Sequence, residues 1–305
     1  MQSVAFVVPW EGKLPEYFAL WLMTCGNNPS IDFLVFTDDT TEYQYPTNVK
    51  PVYFPKGGVG ELIQKNFNFE INVERPYKFC DYRPAFGEIF RDYLRGYDFW
   101  GHCDIDLFWG NIRTFVTDDV LNKYNRIYTR GHCCLYRNIA EVNAWYRKLP
   151  RCGCQDWKEV YRVPETRCFD EWAGHCGGGV SAIIKANGIE VYDAVDMADL
   201  NRKRGHFMIG RRKDLWHKNL CFKYSNGKIV AFDGERELAE FLYVHFQKRK
   251  LVIKENISSE FYFIAPNMVE KQFVETHFWR CIVYTCLMFF NRVKRKCLTF
   301  LKEER

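Results

Sequence analysis

The sequence predicts an α/β protein with a Rossmann-like, mostly parallel sheet flanked by helices. Short apolar runs typical of strands alternate with helical patterns in the first half of the chain. Several of these runs end in acidic residues, as strands do where their carboxyl ends face a binding crevice. The chain has 305 residues, 47% of them hydrophobic and 17% aromatic, so it can bury a large core.

The first elements form a βαβ pattern. A strand at residues 3–8 is stopped by Pro9, and a helix at residues 15–25 has Pro15 in its first turn and Gly26 as its C-terminal cap. Pro84 is expected to open another helix, which continues to Leu94 and ends at Gly96. The other predicted elements are strands at residues 31–36, 50–54, 126–129, 133–136 and 189–192, and helices at residues 140–148 and 235–248.

The most informative segment is an apolar and aromatic run at residues 97–106 that ends in two carboxylates, Asp104 and Asp106. If the run is a buried strand, both carboxylates lie at or just past its carboxyl end, where open α/β sheets bind their ligands. Two carboxylates at that place suit a divalent metal, and a divalent metal suits a phosphate-bearing substrate. A second apolar cluster follows at residues 107–109, which is unusual for a solvated loop.

Charge is distributed unevenly along the chain. From residue 201 onward there are 22 Lys and Arg against 11 Asp and Glu, a net charge of +11, whereas the first 200 residues carry −6. The basic C-terminal third predicts an anionic partner, such as a membrane lipid, a nucleic acid or a phosphorylated substrate.

The 13 cysteines predict free thiols rather than a metal site. The N-terminus lacks a secretory signal, which favours a cytosolic protein with reduced cysteines. No Cys-x-x-Cys pair occurs, and the spacing of Cys133, Cys134, Cys152 and Cys154 is poor for zinc.

The C-terminal residues have a composition of their own. Residues 278–290 are almost entirely apolar and aromatic, yet a bilayer span takes roughly 20 apolar residues. Four basic residues follow at once, Arg292, Lys294, Arg295 and Lys296. The pattern predicts an amphipathic helix on an anionic membrane surface, with a helix packed on the protein's own core as the alternative. We therefore expect a main domain at residues 1–267 and a basic helical tail at residues 268–305.

Several short segments, taken in order, carry a resemblance to a known family: residues 6–10, 36–38, 77–87, 97–106, 110–113, 169–172, 174–175 and 244–248. As an ordered set they resemble bacterial glycosyltransferases of capsular polysaccharide and lipopolysaccharide synthesis, which have the GT-A fold and a DXD motif. The resemblance covers roughly residues 3–250 and leaves out the tail.

The resemblance implies a glycosyltransferase that uses a nucleotide-sugar donor, usually a UDP-sugar, with Mn²⁺ or Mg²⁺ on its diphosphate. The cation acts as a Lewis acid, because the leaving group carries two negative charges away. Asp104 and Asp106 would hold the cation directly or through water. His245 resembles the third protein ligand of such enzymes, and an imidazole beside carboxylates favours Mn²⁺. The alternative for His245 is a partly exposed position on the helix predicted at residues 235–248.

Further residues are expected to bind the diphosphate. Lys78 and Arg83 precede the metal strand and could neutralise the phosphates, Arg83 in a bidentate manner. Asp81 lies between them in the sequence and either links the two cations or accepts hydrogen bonds from sugar hydroxyls.

Residues at the ends of the first two strands are expected to bind the nucleoside. Asp38 is placed to accept hydrogen bonds from the uracil ring or the ribose. Pro9 and Trp10 are expected to pack against the base. The alternative for Trp10 is packing in the protein core.

Asp170 and Glu171 are the candidate general bases. An inverting transferase needs a base that deprotonates the acceptor hydroxyl. In a retaining enzyme the same residues would bind the acceptor, and adjacent acidic residues are also typical of a plain helix N-terminus.

The expected partners are a nucleotide-sugar donor and a lipid-linked or growing saccharide acceptor, but no nucleic acid. We expect a cytoplasmic protein that is peripheral on the inner face of the cell membrane. Two other functions remain open: a non-enzymatic basic protein that binds membranes or nucleic acid, and a nucleotide-sugar hydrolase on the same scaffold.

Overall fold

The computed structural model describes residues 1–148, 153–172, 177–200, 207–215, 220–233, 236–247, 251–253, 260–264 and 268–270, together with Val283, Cys286, Leu287, Phe289, Phe290 and Val293. The chain divides into two compact units. Unit 1 comprises residues 1–105 and 116–194, and unit 2 comprises residues 106–115 and 195–305.

The strands of the described residues are β1 Val4–Trp10, β2 Ile31–Thr37, β3 Val49–Tyr53, β4 Phe99–Cys103, β5 Leu107–Trp109, β6 Arg126–Arg130, β7 Cys133–Arg137, β8 Met197–Leu200, β9 Phe207–Ile209, β10 Leu220–Ser225, β11 Lys228–Asp233, β12 Arg236–Phe241, β13 Tyr243–His245, β14 Val252–Ile253, β15 Glu260–Ile264 and β16 Met268–Glu270.

The α-helices of the described residues are α1 Phe18–Gly26, α2 Gly58–Gln64, α3 Phe79–Tyr82, α4 Phe86–Ile89, α5 Ile112–Phe115, α6 Asp118–Lys123, α7 Ala140–Asn143, α8 Trp157–Arg162 and α9 Val180–Ala186. Short 3₁₀ turns occur at Pro76–Lys78, Arg83–Ala85, Trp145–Arg147 and Lys213–Leu215. Two helices begin at side-chain caps: Thr117 accepts from the backbone N–H of Val120, and Asp156 accepts from those of Lys158 and Glu159.

The sheet of unit 1 has the strand order β3-β2-β1-β4-β7-β6. The first four strands are parallel, with β1 between β2 and β4, whereas β7 is antiparallel to both β4 and β6. The carboxyl ends of β1, β2 and β4 therefore lie at one edge of the sheet. The predicted fold class, α/β with a mostly parallel, Rossmann-like sheet flanked by helices, is confirmed.

The core of unit 1 is largely aromatic. Trp100 of β4 and Tyr136 of β7 are fully buried and stack with ring centroids 4.6 Å apart. They belong to one apolar cluster that joins the sheet to the helices packed on it. Burial of aromatic side chains of this size supplies most of the stabilisation of such a core.

The helix predicted from Pro84 to Leu94 is wrong as a continuous element. The chain instead passes through α3, the 3₁₀ turn Arg83–Ala85 and α4, which ends at Ile89. Proline lacks a backbone N–H and clashes with the preceding turn, so Pro84 separates α3 from α4.

The described residues of unit 2 form two sheets, with strand orders β12-β11-β10-β15-β16-β14 and β5-β13-β8-β9. The helix predicted at residues 235–248 is wrong, because its described part forms β12 and β13. Pairing of β12 with β11 outweighs the helix propensity of its Glu, Leu and Ala residues. The predicted strand at residues 189–192 is reduced to a single bridge between Tyr192 and Ile127.

The first residues of the tail expected at residues 268–305 form a strand rather than a helix. Met268–Glu270 forms β16, which pairs with β14 and β15 in unit 2. The described positions of the following segment are helical and exposed, and the rest of the predicted tail lies outside the described residues. Among the helices that the structure describes, none has the length and apolar character needed to cross a bilayer.

Candidate functional site

The first group of candidate residues lies in the four-stranded sheet of unit 2. Strand β13 lies between β5 and β8, and its register places His245 opposite Leu107 on one side and Asp199 on the other. Asp106 immediately precedes β5, and its carbonyl oxygen accepts a hydrogen bond of 3.1 Å from the backbone N–H of Phe246. Strand pairing thus brings the three polar side chains together.

The imidazole of His245 contacts a carboxylate through each of its nitrogen atoms. Nε2 lies 3.4 Å from Oδ1 of Asp106, and Nδ1 lies 3.1 Å from Oδ1 of Asp199. All three residues are buried. Gln247 adds a hydrogen bond from its side-chain amide to Oδ2 of Asp199. We call Asp106, His245 and Asp199 the carboxylate–imidazole cluster.

The electrostatics of this cluster favour a cation. Burial lowers the pKa of the imidazole, but the hydrogen bonds and charges of Asp106 and Asp199 outweigh burial and raise the pKa of His245 to about 10. Even with a protonated imidazole, two buried carboxylates leave an excess negative charge. Carboxylate oxygens and an imidazole nitrogen form a donor set that suits a divalent metal, and a metal would take the place of the imidazole proton.

A second group of candidate residues lies in unit 1, around Arg83. Its guanidinium group pairs with Asp104, lies 3.0 Å from Oδ2 of Asp170 and donates to the carbonyl oxygen of Gly131. The backbone N–H of Asp104 donates to the carbonyl oxygen of His132 at 3.0 Å. Arg83 therefore fixes the position of one predicted metal ligand and one predicted base, and its charge is shared between them.

Asp170 and Glu171 lie against the backbone of Gly131. A Cβ atom at Gly131 would lie 3.1 Å from Oδ2 of Asp170 and 3.2 Å from the carboxyl carbon of Glu171, so a larger residue would crowd both carboxylates. Desolvation outweighs the charge of Arg83 and raises the pKa of Asp170 to about 7. A carboxyl group that titrates near neutral pH matches the requirement for a general base.

Lys78 does not fit its predicted role at the diphosphate. The side chain is completely buried, and Nζ donates to Asp81 and to the carbonyl oxygens of Val160 and Glu165 at 2.7–2.8 Å. These bonds use all three ammonium protons. The assignment of Lys78 to phosphate binding is therefore corrected to a structural one.

Asp81 has one of its two predicted roles, that of a structural salt link. The salt bridge that the structure shows is with Lys78. Its carboxylate also accepts hydrogen bonds of 2.9 Å from the backbone N–H groups of Arg167 and Phe169. Because Asp81 is completely buried, no lone pair is exposed to a sugar hydroxyl. The sugar-binding alternative for Asp81 is corrected accordingly.

The residues predicted to bind the nucleoside lie at the ends of β1 and β2. Pro9 and Trp10 are half-buried, and the indole N–H of Trp10 donates to the carbonyl oxygen of Lys13 at 3.3 Å. Oδ1 of Asp38 accepts a 2.6 Å hydrogen bond from the backbone N–H of Gly12. Asp38 and Trp10 thus both hold the loop that follows β1, and their contact with a base remains a prediction.

Sequence reasoning missed Asp199 and Gln247. Asp199 lies in a short strand between apolar residues, and an isolated carboxylate inside an apolar run was the available signal. Gln247 was assigned to a helix, whereas it follows β13 with a φ of 44°, in the left-handed region that non-glycine residues seldom adopt.

The fold and the site define an α/β protein with a buried carboxylate–imidazole cluster. More particularly, residues 6–273 match the family described as "Family of unknown function (DUF6625)", and the chain belongs to that family. No curated protein matches the sequence.

Two solved structures of the galactosyltransferase LgtC are similar to this chain. One, in complex with donor and acceptor sugar analogs, is 13% identical with a TM-score of 0.40 and covers 80% of this chain and 86% of its own. The other, an active-site mutant, is 12% identical with a TM-score of 0.40, and the match covers 82% of this chain and 88% of the mutant's chain.

Proposed function

We propose that this protein is a metal-dependent glycosyltransferase of the GT-A type. It transfers a sugar from a nucleotide-sugar, for which we propose a UDP-sugar, to a lipid-linked or growing saccharide of a bacterial capsule or lipopolysaccharide. The observation that carries the proposal is the buried carboxylate–imidazole cluster, which holds more negative than positive charge. The motif resemblance and the strand order, with acidic residues after β4, support the same class.

Asp104, Asp106 and His245 are the proposed metal ligands. Asp104 and Asp106 are separated by one residue, so their α-carbons are at most about 7 Å apart whatever the local conformation. Asp106 and His245 contact each other. Mn²⁺ or Mg²⁺ bound by these groups would neutralise the diphosphate leaving group. Oδ1 of Asp199 lies 3.1 Å from the second nitrogen of His245, where a carboxylate orients the ring, as is usual for metal-ligating histidines.

Asp170 and Glu171 are the proposed acceptor-side residues. In an inverting reaction Asp170 takes the proton of the acceptor hydroxyl, and Arg83 holds its carboxylate in place and favours the ionised form. In a retaining reaction the two carboxylates bind acceptor hydroxyls instead. Pro9, Trp10 and Asp38 are the proposed nucleoside contacts.

Ligand-dependent thermal stabilisation tests this proposal. UDP with Mn²⁺ should raise the melting temperature more than either alone, and the Asp106→Asn variant should lose the metal-dependent part. Asp92→Asn, at an exposed carboxylate of unit 1, is the matched control and should respond like the wild type.

Turnover distinguishes the remaining activities. Release of UDP from UDP-glucose or UDP-galactose that depends on an added saccharide indicates transfer. Release at the same rate without acceptor identifies a hydrolase. Absence of joint stabilisation by UDP and Mn²⁺, together with tight nucleic-acid binding, would contradict the proposed function.

A further inference from the structure

One tryptophan of unit 1 differs from the others in its exposure. Trp172 has 42% of its surface exposed, whereas the remaining tryptophans of the described ranges are buried or half-buried. Tryptophan is enriched at binding surfaces, because its ring is apolar while its N–H group can remain hydrogen-bonded.

The indole ring contacts two neighbouring side chains, Thr129 and Lys185. Its Nε1–H lies 3.3 Å from Oγ1 of Thr129 in β6, and Thr129 itself is buried. The backbone N–H of Thr129 donates to Asp193 at 3.0 Å, which anchors the strand at this point. The ammonium group of Lys185 in α9 lies 5.7 Å from the centre of the indole ring. The polar edge of the ring is therefore satisfied, and what it offers to solvent is its carbon surface.

Trp172 is also next to the proposed acceptor-side carboxylates. It follows Glu171 directly in the chain, and Asp170 precedes that residue. Asp170 contacts Arg83, which contacts Asp104, so a continuous series of charged contacts leads from the predicted metal ligand to the position beside the indole. Carboxylates can accept hydrogen bonds from sugar hydroxyls, and the aromatic face beside them offers an apolar surface.

We propose that Trp172 is the stacking platform for the acceptor saccharide. This inference rests on the proposed function and adds the subsite that receives the acceptor. A pyranose ring has one face of C–H groups, which carry partial positive charge and are attracted to the negative face of an indole. Glu171 accepts hydrogen bonds from the hydroxyls at the ring's edge, and Thr129 is the positioning residue that sets the tilt of the platform.

Saturation-transfer-difference NMR without any donor tests the platform directly. The probes are methyl β-D-galactopyranoside and methyl β-D-glucopyranoside. With the wild type, at least one glycoside should show transfer to its ring C–H protons. Trp172→Ala should weaken binding about tenfold, the loss expected for about 1.4 kcal/mol of aromatic contact. Trp172→Phe should retain part of the signal, because it keeps a smaller aromatic face.

The control variants separate stacking from a folding defect. Tyr77→Ala removes another exposed aromatic side chain of unit 1 and should leave glycoside transfer unchanged. Thr129→Val keeps the shape of the buried side chain, removes the hydrogen bond to the indole and should weaken glycoside binding less than Trp172→Ala does. Melting curves of each variant check that the fold is retained.

The proposal is overturned if the wild type shows no transfer from either glycoside, or if Trp172→Ala binds them as the wild type does. It is also overturned if Trp172→Ala abolishes binding to phosphatidylserine vesicles while glycosides never bind, because the indole would then be an interfacial anchor. Glycoside binding through Trp172 without joint stabilisation by UDP and Mn²⁺ would contradict the proposed function alone.

Discussion

Two carboxylates contact the single imidazole of His245, one through each ring nitrogen. The positive charge of the imidazolium, or of a metal in its place, offsets the repulsion between the two buried carboxylates. The stability of unit 2 therefore depends on the charge at this cluster, which is also a candidate metal site.

Replacing His245 by Ala should therefore destabilise the protein even without metal. In the presence of a chelator, we expect the free energy of unfolding to fall by about 3 kcal/mol, the usual cost of removing one partner from a buried ion pair. Urea denaturation followed by circular dichroism measures the change. Adding Asp199→Asn to the same variant should restore part of the loss, because one unpaired buried charge is then removed. A loss below about 1 kcal/mol would contradict the role given to the imidazole.

Asp170 should make stability depend on pH in the opposite sense to an ordinary ion-paired carboxylate. Its pKa is about 7 in the folded protein, against a reference value of 3.8, so the folded state holds the proton more tightly. The stabilisation is fully present below about pH 4 and is lost as pH rises to about 7, with a slope of up to about 1.4 kcal/mol per pH unit.

The Asp170→Asn variant isolates this contribution. Urea denaturation of both proteins at several pH values should show the wild type losing stability relative to the variant as pH rises from 4 to 7. The opposite result would be a wild type whose free energy of unfolding, relative to that of the variant, stays constant or increases with pH. It would show that the charge of Arg83, rather than burial, dominates at this carboxyl group.

At the scale of elements, the ion pair of Lys78 and Asp81 connects α3 to the segment that leads to Asp170. Lys78 binds the carbonyl oxygens of Val160 and Glu165, and Asp81 binds the backbone N–H groups of Arg167 and Phe169. A loop of this kind has few backbone partners of its own, so the buried pair takes their place.

Lys78→Met should loosen this loop and destabilise the fold. The change leaves the Asp81 carboxylate buried without a cation and two carbonyl groups without a donor, at an expected cost of 3–5 kcal/mol, roughly. Amide hydrogen exchange should lose protection at Arg167 and Phe169. Lys158→Met, at an exposed lysine of α8, is the matched control and should alter neither quantity beyond about 0.5 kcal/mol. Unchanged protection at the two amides would contradict the assigned role.

The elements of unit 1 were predictable from the sequence because their signals are local. Strands β1 to β4 are short apolar runs bounded by polar or turn residues, and their carboxyl ends place Asp38 and Asp104 where the pattern indicates. The strands around His245 were not predictable in the same way. They pair with segments far away in the chain, and residues 236–241 have a helix-like composition that only the partner strand β11 overrides.

One local signal in unit 2 was nevertheless present in the sequence. Asn226 and Gly227 have φ values of 50° and 76° and connect β10 to β11 in a tight hairpin. An Asn-Gly pair between apolar runs is a strong hairpin signal, since both central residues of such a turn adopt positive φ. Recognising it would have placed a strand before residue 235 and cast doubt on the helix predicted there.

At the scale of the whole molecule, the net charge lies in the C-terminal segment. Residues 271–305 contain eight Lys and Arg and three Asp and Glu, a net charge of +5, which equals the net charge of the complete chain. Five apolar side chains that the structure describes in this segment are exposed on helical positions: Val283, Leu287, Phe289, Phe290 and Val293. Exposed apolar side chains next to basic residues are typical of helices that lie on anionic membranes.

Truncation after Glu270 tests whether this segment binds a membrane, as we propose. The full chain should sediment with vesicles that contain phosphatidylserine, and less with phosphatidylcholine alone, because each basic residue near an anionic surface contributes about 1 kcal/mol. The truncated chain, which keeps β16 and has no net charge, should remain in solution while UDP and Mn²⁺ stabilise it as before. High salt should release the full chain only in part, since burial of the aromatic side chains is not screened. If truncation instead abolishes cooperative unfolding, the apolar side chains of the segment pack on the protein itself. The loss of vesicle sedimentation would then result from unfolding, and membrane binding by this segment would be contradicted.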